Sequence, residues 1–167
     1  FKGITPKSKI EKGDRIPIAF YGKNLEHSSA KVKIKEEHFK TDWLYVTKGP
    51  EFDLLTKRQT DYLFKKKFKI DALNNRMGYQ LENPIPKMKK KEIITSVLIP
   101  GTVQLTPSGK LIIMMRDCPT TGGYPRILQL TDEAINRLAQ LETGDTFTFN
   151  LENVFSFLRR LASRFTD

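Results

Sequence analysis

Short stretches in which apolar and polar residues alternate, separated by turn residues, recur along most of the chain. The clearest alternation is Lys31-Val32-Lys33-Ile34-Lys35, which predicts a strand with one face toward water. Further strands are predicted at residues 15–21, 44–47, 67–71, 93–98, 102–105, 110–115, 126–130 and 146–151. Because many short strands punctuated by glycine and proline are typical of barrels and sandwiches, we predict a mainly β fold.

Two helices are predicted from their first residues. Thr56 and Gln59 have the spacing of a capping box, and this helix is expected to end near Lys65. Thr131 precedes two acidic residues that favour the positive end of a helix dipole, so a second helix is expected to begin there. Its apolar stripe consists of Ile135, Leu138 and Ala139.

A third helix is predicted from Leu151 to about Phe165, where apolar residues recur at helical spacing. This stripe packs either on the chain's own core or on a partner. The first alternative is favoured because small domains commonly pack a terminal helix on their own sheet. No internal repeat or linker-like composition divides the sequence, so residues 1–167 are predicted to form a single domain.

The composition limits the classes of protein to which the chain can belong. It has 167 residues, a formal net charge of +10 and one cysteine, Cys118, so no intramolecular disulfide can form. A single cysteine is typical of a reducing compartment, and we predict a cytoplasmic location. The longest apolar runs, such as residues 111–115, are too short to span a membrane. The first residue is Phe and no signal-peptide pattern follows it, which indicates a fragment or a processed chain.

The lysine runs, the histidines and the cysteine give weak functional signals. Lysine runs at residues 65–67 and 89–91 have no interleaved aromatic residues to stack on bases, so a solvated surface is favoured over nucleic-acid binding. His27 and His38 lack the spacing of metal ligands on a helix, and no metal site is predicted. Cys118 is interpreted as a small buried apolar residue rather than a nucleophile. The chain has no glycine-rich phosphate loop followed by Lys-Ser or Lys-Thr, so ATP binding by this chain is not expected.

The first segment with unusual local chemistry is Asn74-Asn75-Arg76-Met77-Gly78-Tyr79-Gln80-Leu81-Glu82. Asparagine and glycine tolerate positive φ, which predicts a turn that presents Arg76 on a fixed backbone. The guanidinium of Arg76 either binds a carboxylate or carbonyl of a ligand or pairs with a structural acid such as Glu82. The residues alone leave both alternatives open.

The second such segment follows the most apolar predicted strand. It combines a carboxylate, two hydroxyls, two consecutive glycines and a phenol at Asp117, Thr120, Thr121, Gly122, Gly123 and Tyr124. Consecutive glycine amides are able to form a cradle for an anion or a carbonyl oxygen, and polar loops on rigid scaffolds are typical of ligand sites. The alternative is a tight turn between two strands that Asp117 caps.

Three segments together resemble one protein family. They are Asn75-Arg76-Met77-Gly78-Tyr79-Gln80-Leu81, Pro100-Gly101-Thr102-Val103-Gln104-Leu105 and Thr120-Thr121-Gly122-Gly123-Tyr124-Pro125-Arg126. Their order and spacing are similar to those of the C component of the bacterial ATP-dependent 5-oxoprolinase, also called allophanate hydrolase subunit 2 or KipA-type biotin-dependent carboxyltransferase-like protein. Residues 44–55 also resemble the strand, Gly-Pro turn and helix entry of that family. The resemblance implies a cyclophilin-like β-barrel with two to three peripheral helices, as in the C-terminal half of a longer protein whose N-terminal barrel is absent here.

The resemblance also implies a function in a multi-subunit enzyme. Such a component helps to open the lactam of 5-oxoproline to glutamate together with the B component, which is KipI-like and also called allophanate hydrolase subunit 1, and the A component, which is LamB/YcsF-like. ATP is used by the complex, biotin serves the related carboxyltransferases, and this chain is expected to hold no cofactor itself. The implied catalytic residues are Asp117, which accepts an amide N–H, and Arg76, which stabilises an oxyanion with the amides of Gly122 and Gly123. The implied substrate-binding residues are Asn75, Thr120, Thr121, Gly122, Gly123 and Tyr124.

Two alternative functions remain within the same resemblance. One is a carboxyltransferase or allophanate hydrolase-type protein that acts on urea or another small amide, and the other is a Kip-type regulator that antagonises a histidine-kinase inhibitor. The chain departs from the family pattern at Cys118-Pro119 and by having no acidic residue between Glu92 and Asp117. A site formed between two barrels would be incomplete here, so the isolated chain is expected to be catalytically inactive.

Overall fold

A computed structural model of the chain describes residues 12–13, 15, 42–86 and 93–153. The chain divides into two units, residues 1–34 and 35–167, and every element described below belongs to the second unit. The strand predicted at residues 31–35, nearly all of the strand predicted at 15–21 and residues 154–165 of the third predicted helix lie outside the described residues. The single domain stays a prediction.

The described residues form nine strands, two α-helices and one 3-10 turn. The strands are β1 (Trp43–Lys48), β2 (Phe68–Asn74), β3 (Gly78–Leu81), β4 (Ser96–Val97), β5 (Thr102–Leu105), β6 (Leu111–Met114), β7 (Thr121–Gly122), β8 (Arg126–Leu130) and β9 (Thr146–Leu151). The helices are α1 (Lys57–Lys65) and α2 (Asp132–Leu138), and the 3-10 turn is Phe52–Leu54.

Seven of the strands close into a barrel in the order β1-β8-β5-β6-β3-β2-β9. The parallel pair of β1 and β9 closes it, and the other neighbouring pairs of the barrel are antiparallel. The remaining strands, β4 and β7, form a separate two-stranded sheet. We call this sheet with its flanking residues, 94–99 and 119–124, the flap. The closed barrel with peripheral helices confirms the predicted mainly β fold.

The inside of the barrel is filled by alternate apolar side chains of its strands. Phe147 and Phe149 of β9 are fully buried, and their rings lie 5.2 Å apart, measured between centroids. Phe68 of β2 lies 5.3 Å from the ring of Phe149. Burial of aromatic side chains of this size supplies much of the apolar surface that stabilises a small domain.

Both capped helices are present as predicted, but Ala139, which was predicted in the apolar stripe of α2, is its exposed C-cap residue, and Ala134 is buried in its place. Thr56 Oγ1 accepts a hydrogen bond from the Gln59 amide at 3.3 Å, and Gln59 Oε1 accepts one from the Thr56 amide at 2.8 Å. At α2, Thr131 Oγ1 accepts from the Ala134 amide at 3.2 Å. The apolar sides of the two helices pack on the barrel. Among the described residues, none of the helices is long and apolar enough to cross a membrane.

The predicted and observed elements differ most at three places. The third helix is predicted to begin at Leu151, but this residue ends β9, where it pairs with Val46 in the parallel ladder. Residues 93–98 are predicted to form one strand, yet only Ser96 and Val97 do so, because this segment pairs with the short β7 alone. Strand β3 is absent from the predicted elements because its first residues belong to the segment predicted as a turn.

Candidate functional site

The turn between β2 and β3 presents Arg76, as predicted. Asn75 Oδ1 accepts hydrogen bonds from the amides of Met77 at 2.8 Å and Gly78 at 3.3 Å. The Asn75 amide in turn donates to the Gly78 carbonyl at 3.1 Å. An asparagine side chain bonded to amides two and three residues later forms an Asx-type turn, so Asn75 fixes the backbone from which Arg76 extends.

The structure brings together the two predicted catalytic residues, Arg76 and Asp117. Arg76 donates from Nε to Asp117 Oδ2 at 2.5 Å and from Nη2 to Oδ1 at 3.0 Å, which is a two-bonded ion pair. The Asp117 amide also donates to the Arg76 carbonyl at 2.9 Å, so the two loops are joined through their backbones as well. Glu82, the structural partner considered for Arg76, pairs instead with Lys69 at 3.0 Å.

Arg76 and Asp117 are both accessible to solvent and both ionised. The side chain of Arg76 is 81% exposed and that of Asp117 is 48% exposed. Hydrogen bonds from Arg76 lower the pKa of Asp117, and the same bonds raise the pKa of Arg76. Because exposed ion pairs are screened by water and contribute little to stability, a ligand is able to separate this pair at small cost.

The predicted loop of hydroxyls and glycines forms one edge of the flap. Ser96 pairs with Gly122 and Val97 pairs with Thr121, and the Leu98 amide donates to the Thr120 carbonyl at 2.9 Å. Thr120, Thr121, Gly123 and Tyr124 are exposed. Since Thr120 follows Asp117 by three residues, the Cα atoms of these two residues lie within about 11 Å of each other.

The two consecutive glycines differ in their surroundings. A Cβ atom on Gly122 would lie 2.7 Å from Leu98 Cδ1 and 2.8 Å from Gln104 Nε2, whereas nothing lies within 4 Å of one on Gly123. Neither glycine has a positive φ. Because a cradle of successive amides needs alternating right- and left-handed backbone, the pair does not form that type of nest here. Close packing explains Gly122, and the substrate-binding role of both glycines stays a prediction.

A second ion pair, which the sequence did not predict, lies at the base of the flap. Arg126 donates to Glu51 Oε2 from its amide and from Nε, both at 2.9 Å, and to Oε1 from Nη2 at 2.7 Å. Its Nη1 donates to the Val97 carbonyl of β4 at 3.0 Å. Hydrogen bonds from Arg126 lower the pKa of Glu51 despite its partial burial. Both residues fall in segments that carried the family resemblance, which was the available signal.

Gln104 is a further polar residue without a predicted role. Its side chain is only 3% exposed although its neighbours in β5 are apolar core residues. Gln104 Nε2 donates to the Tyr124 carbonyl at 3.0 Å, at the end of the flap. A glutamine inside an apolar strand was the sequence signal for this contact.

Neither a reactive cysteine nor a metal site is found among the residues that the structure describes. Cys118 is partly buried, and desolvation raises the pKa of its thiol, which therefore stays protonated at neutral pH. Within residues 42–86 and 93–153, no three His, Cys, Asp or Glu side chains are grouped as metal ligands. His27 and His38 lie outside the described residues.

One family model and two relatives match the sequence of the chain. The family model of the carboxyltransferase domain, subdomain A and B, matches residues 2–151. The C component of the 5-oxoprolinase of Escherichia coli (strain K12) is 31% identical over 141 residues, which are 84% of this chain and 44% of that protein. The C component of the 5-oxoprolinase of Haemophilus influenzae is 32% identical over 100 residues, which are 59% of this chain and 32% of that protein. The chain thus spans less than half the length of these curated relatives.

Solved structures agree with the fold. The urea amidolyase of K. lactis superposes with a TM-score of 0.64 at 22% identity, over 72% of this chain and 8% of that protein. The protein TTHA0988 superposes with a TM-score of 0.56 at 21% identity, over 81% of this chain and 24% of that one. At such low identities the likeness concerns the fold alone.

Proposed function

Because the chain belongs to the family of carboxyltransferase domains, subdomain A and B, we propose that it serves as the C component of a 5-oxoprolinase-type complex. Two relatives that match it are named as this component of 5-oxoprolinase. The observation that carries the proposal is the exposed pair of Arg76 and Asp117 beside the exposed edge of the flap. Both features lie in or beside the segments that resemble this family.

In this proposal Asp117 binds the lactam N–H of 5-oxoproline and Arg76 binds the carbonyl oxygen. The lowered pKa of Asp117 keeps it ionised at neutral pH, which suits a hydrogen-bond acceptor better than a general base. Arg76 remains charged and is able to stabilise negative charge that develops on the oxygen. Substrate separates the two side chains by giving each a new partner, and their exposure makes this exchange inexpensive.

The remaining chemistry of ring opening is assigned to other components of the complex. Opening the lactam breaks its C–N bond and consumes one water, and we propose that ATP is bound by another component. The partners in this proposal are a KipI-like B component and a LamB/YcsF-like A component in the cytoplasm. Exposed apolar side chains on the flap, of which Ile94 at 89% is the most exposed, support a protein partner because such groups are commonly covered at interfaces.

The test uses the complete protein mixed with its own A and B components. ATP hydrolysis is measured with and without 5-oxoproline for the wild type, Asp117→Ala and the control Asp132→Ala. Asp132 is also an exposed acid paired with an arginine, Arg116, at 3.2 Å. We expect 5-oxoproline-dependent turnover that falls by about 100-fold or more in Asp117→Ala, the size of a lost transition-state contact, and is unchanged in Asp132→Ala.

The melting temperature is measured alongside, and we expect it to be nearly unchanged in both variants because both acids are exposed. A stable complex without 5-oxoproline-dependent turnover would contradict the proposal and favour another amide substrate or a regulatory role. Equal losses of turnover in the two variants would remove the role assigned to Asp117.

A further inference from the structure

The flap carries most of the predicted substrate-binding residues, yet it belongs to no sheet of the barrel. Its ladder has only the two residue pairs Ser96–Gly122 and Val97–Thr121. A two-stranded sheet of this size is not stable in water by itself. The position of the flap therefore depends on the contacts that its strands make with the barrel.

One of these contacts is made by Gln104 to Tyr124, two residues after strand β7. Val103 and Leu105, its neighbours in β5, belong to the barrel core, so alternation directs Gln104 to the outer surface of the barrel. There its Nε2 donates to the Tyr124 carbonyl at 3.0 Å, and the amide lies under Gly122, which has no side chain to displace it. Gln104 is only 3% exposed, so its side chain is closed off from solvent in this structure.

A second side-chain contact is made by Arg126 to strand β4. Two nitrogens of its planar guanidinium are bonded to Glu51, which leaves Nη1 directed at the Val97 carbonyl at 3.0 Å. Because the guanidinium is rigid, its two bonds to Glu51 determine where the third nitrogen points. Arg126 thus links β4 to the turn that follows β1.

We infer that Gln104 and Arg126 are positioning residues that fix the flap on the barrel, Gln104 through the carbonyl of Tyr124 beside β7 and Arg126 through the carbonyl of Val97 in β4. Substrate affinity then depends on two side chains that act through the backbone of the flap. The pair of Arg76 and Asp117 is held by separate bonds at the turn after β2, including the one from the Asp117 amide to the Arg76 carbonyl. Loss of a positioning residue therefore changes KM more than kcat. This consequence for KM rests on the proposed function.

The central variant is Gln104→Met, which removes the Nε2 donor at nearly constant volume. Its matched control is Gln59→Met, because Gln59 is equally buried, at 3% exposed, and donates from Nε2 to the Pro86 carbonyl at 2.8 Å. The control also loses the capping box of α1, so it is expected to cost at least as much stability. A purely structural role for Gln104 would make the two variants alike.

Two readouts are measured for each variant. Amide hydrogen exchange of residues 120–124 is expected to become about fivefold to tenfold faster in Gln104→Met, because this is the factor that the loss of one hydrogen bond gives. The same exchange is expected to be unchanged in Gln59→Met. In the assembled complex, KM for 5-oxoproline is expected to rise about tenfold in Gln104→Met with kcat changed less than about threefold. Arg126→Lys keeps the charge but loses the fork, and we expect faster exchange at residues 96–98.

Unchanged exchange of the flap in both Gln104→Met and Arg126→Lys would overturn the inference, as would equal KM values for Gln104→Met and Gln59→Met. If Gln104→Met does not fold, Arg126→Lys decides the question by the same exchange measurement. If the wild-type complex shows no turnover of 5-oxoproline, the proposed function fails, while the exchange comparison still decides whether these residues position the flap.

Discussion

The barrel and the flap are both built from short strands, but different forces hold them in place. Every barrel strand has a neighbour on each side, and its inward side chains, such as Phe68 and Phe149, are fully buried. The flap strands have two residues each, and the flap leaves apolar side chains such as Val97 and Ile99 exposed. The barrel is thus stabilised mainly by apolar burial, whereas the flap is located by a few specific polar contacts and by the burial of one apolar side chain, Leu98.

The largest effect on the free energy of unfolding is expected when a large side chain is removed from the apolar core of the barrel. Phe149→Ala should lower the free energy of unfolding by about 3–5 kcal/mol, because it removes a buried ring and leaves a cavity. Leu151→Ala, on the same strand but exposed at its end, should cost less than about 1 kcal/mol. Denaturant unfolding followed by circular dichroism measures both. Similar losses in the two variants would break the contrast between a buried core and an exposed margin.

A smaller effect is expected at the ion pair under the flap. Glu51→Gln should lower the free energy of unfolding by about 1–2 kcal/mol at pH 7, because it weakens charged hydrogen bonds to Arg126 that are partly exposed. The pKa of Glu51 is lowered in the folded state, so its contribution is fully present above the ordinary carboxyl pKa of about 4.3. That contribution is lost as the pH falls below this value, through the lowered pKa of the folded state.

The difference between wild type and Glu51→Gln should therefore narrow when unfolding is measured at pH values below about 4.3. Glu82→Gln is the matched control, since its pair with Lys69 is about twice as exposed, and its effect should stay within about 0.5 kcal/mol. A gap for Glu51→Gln that does not change with pH would indicate a packing effect rather than an electrostatic one.

The smallest effect is expected at the two adjacent glycines of the flap. Gly122→Ala should cost about 1 kcal/mol, because the new methyl group meets the side-chain ends of Leu98 and Gln104, which have to shift. Gly123→Ala should leave the melting temperature unchanged, since nothing lies near its Cβ position. If Gly123→Ala nevertheless raises KM for 5-oxoproline, the predicted substrate contact at Gly123 gains support. Equal destabilisation by the two substitutions would show that Gly122 is not packed on Gln104.

The barrel strands and the two capped helices were predictable because their signals are local. Alternation marks an inward face, and a capping box needs only Thr56 and Gln59. Strand β3 was not predictable in this way because its first residues are typical of a turn. Its pairing with the distant strand β6, with Tyr79 opposite Ile113, is not visible in the local sequence. Of the strand predicted at residues 93–98, only Ser96 and Val97 form a strand, and this restriction likewise depends on a distant partner, β7.

The residues of the candidate site were predictable as residue types but not as partners. Arg76 and Asp117 each stood out in an unusual segment, yet they are 41 positions apart and only the barrel brings them together. Glu51 and Arg126 are separated by 75 positions, and neither alone has a spacing that indicates an ion pair. Contacts between distant segments follow from the strand order, which alternation does not specify.

The closure of the barrel by its first and last described strands has a kinetic consequence. Thr148 bonds to Asp42 across 106 positions, so the pairing of β9 with β1 closes a very long loop. Long loops are entropically costly to close, and proteins dominated by distant pairings refold on the scale of milliseconds to seconds. During synthesis one edge of β1 and one edge of β2 stay unpaired until residues 146–151 have left the ribosome, so these edges are open to strand-mediated aggregation in that interval.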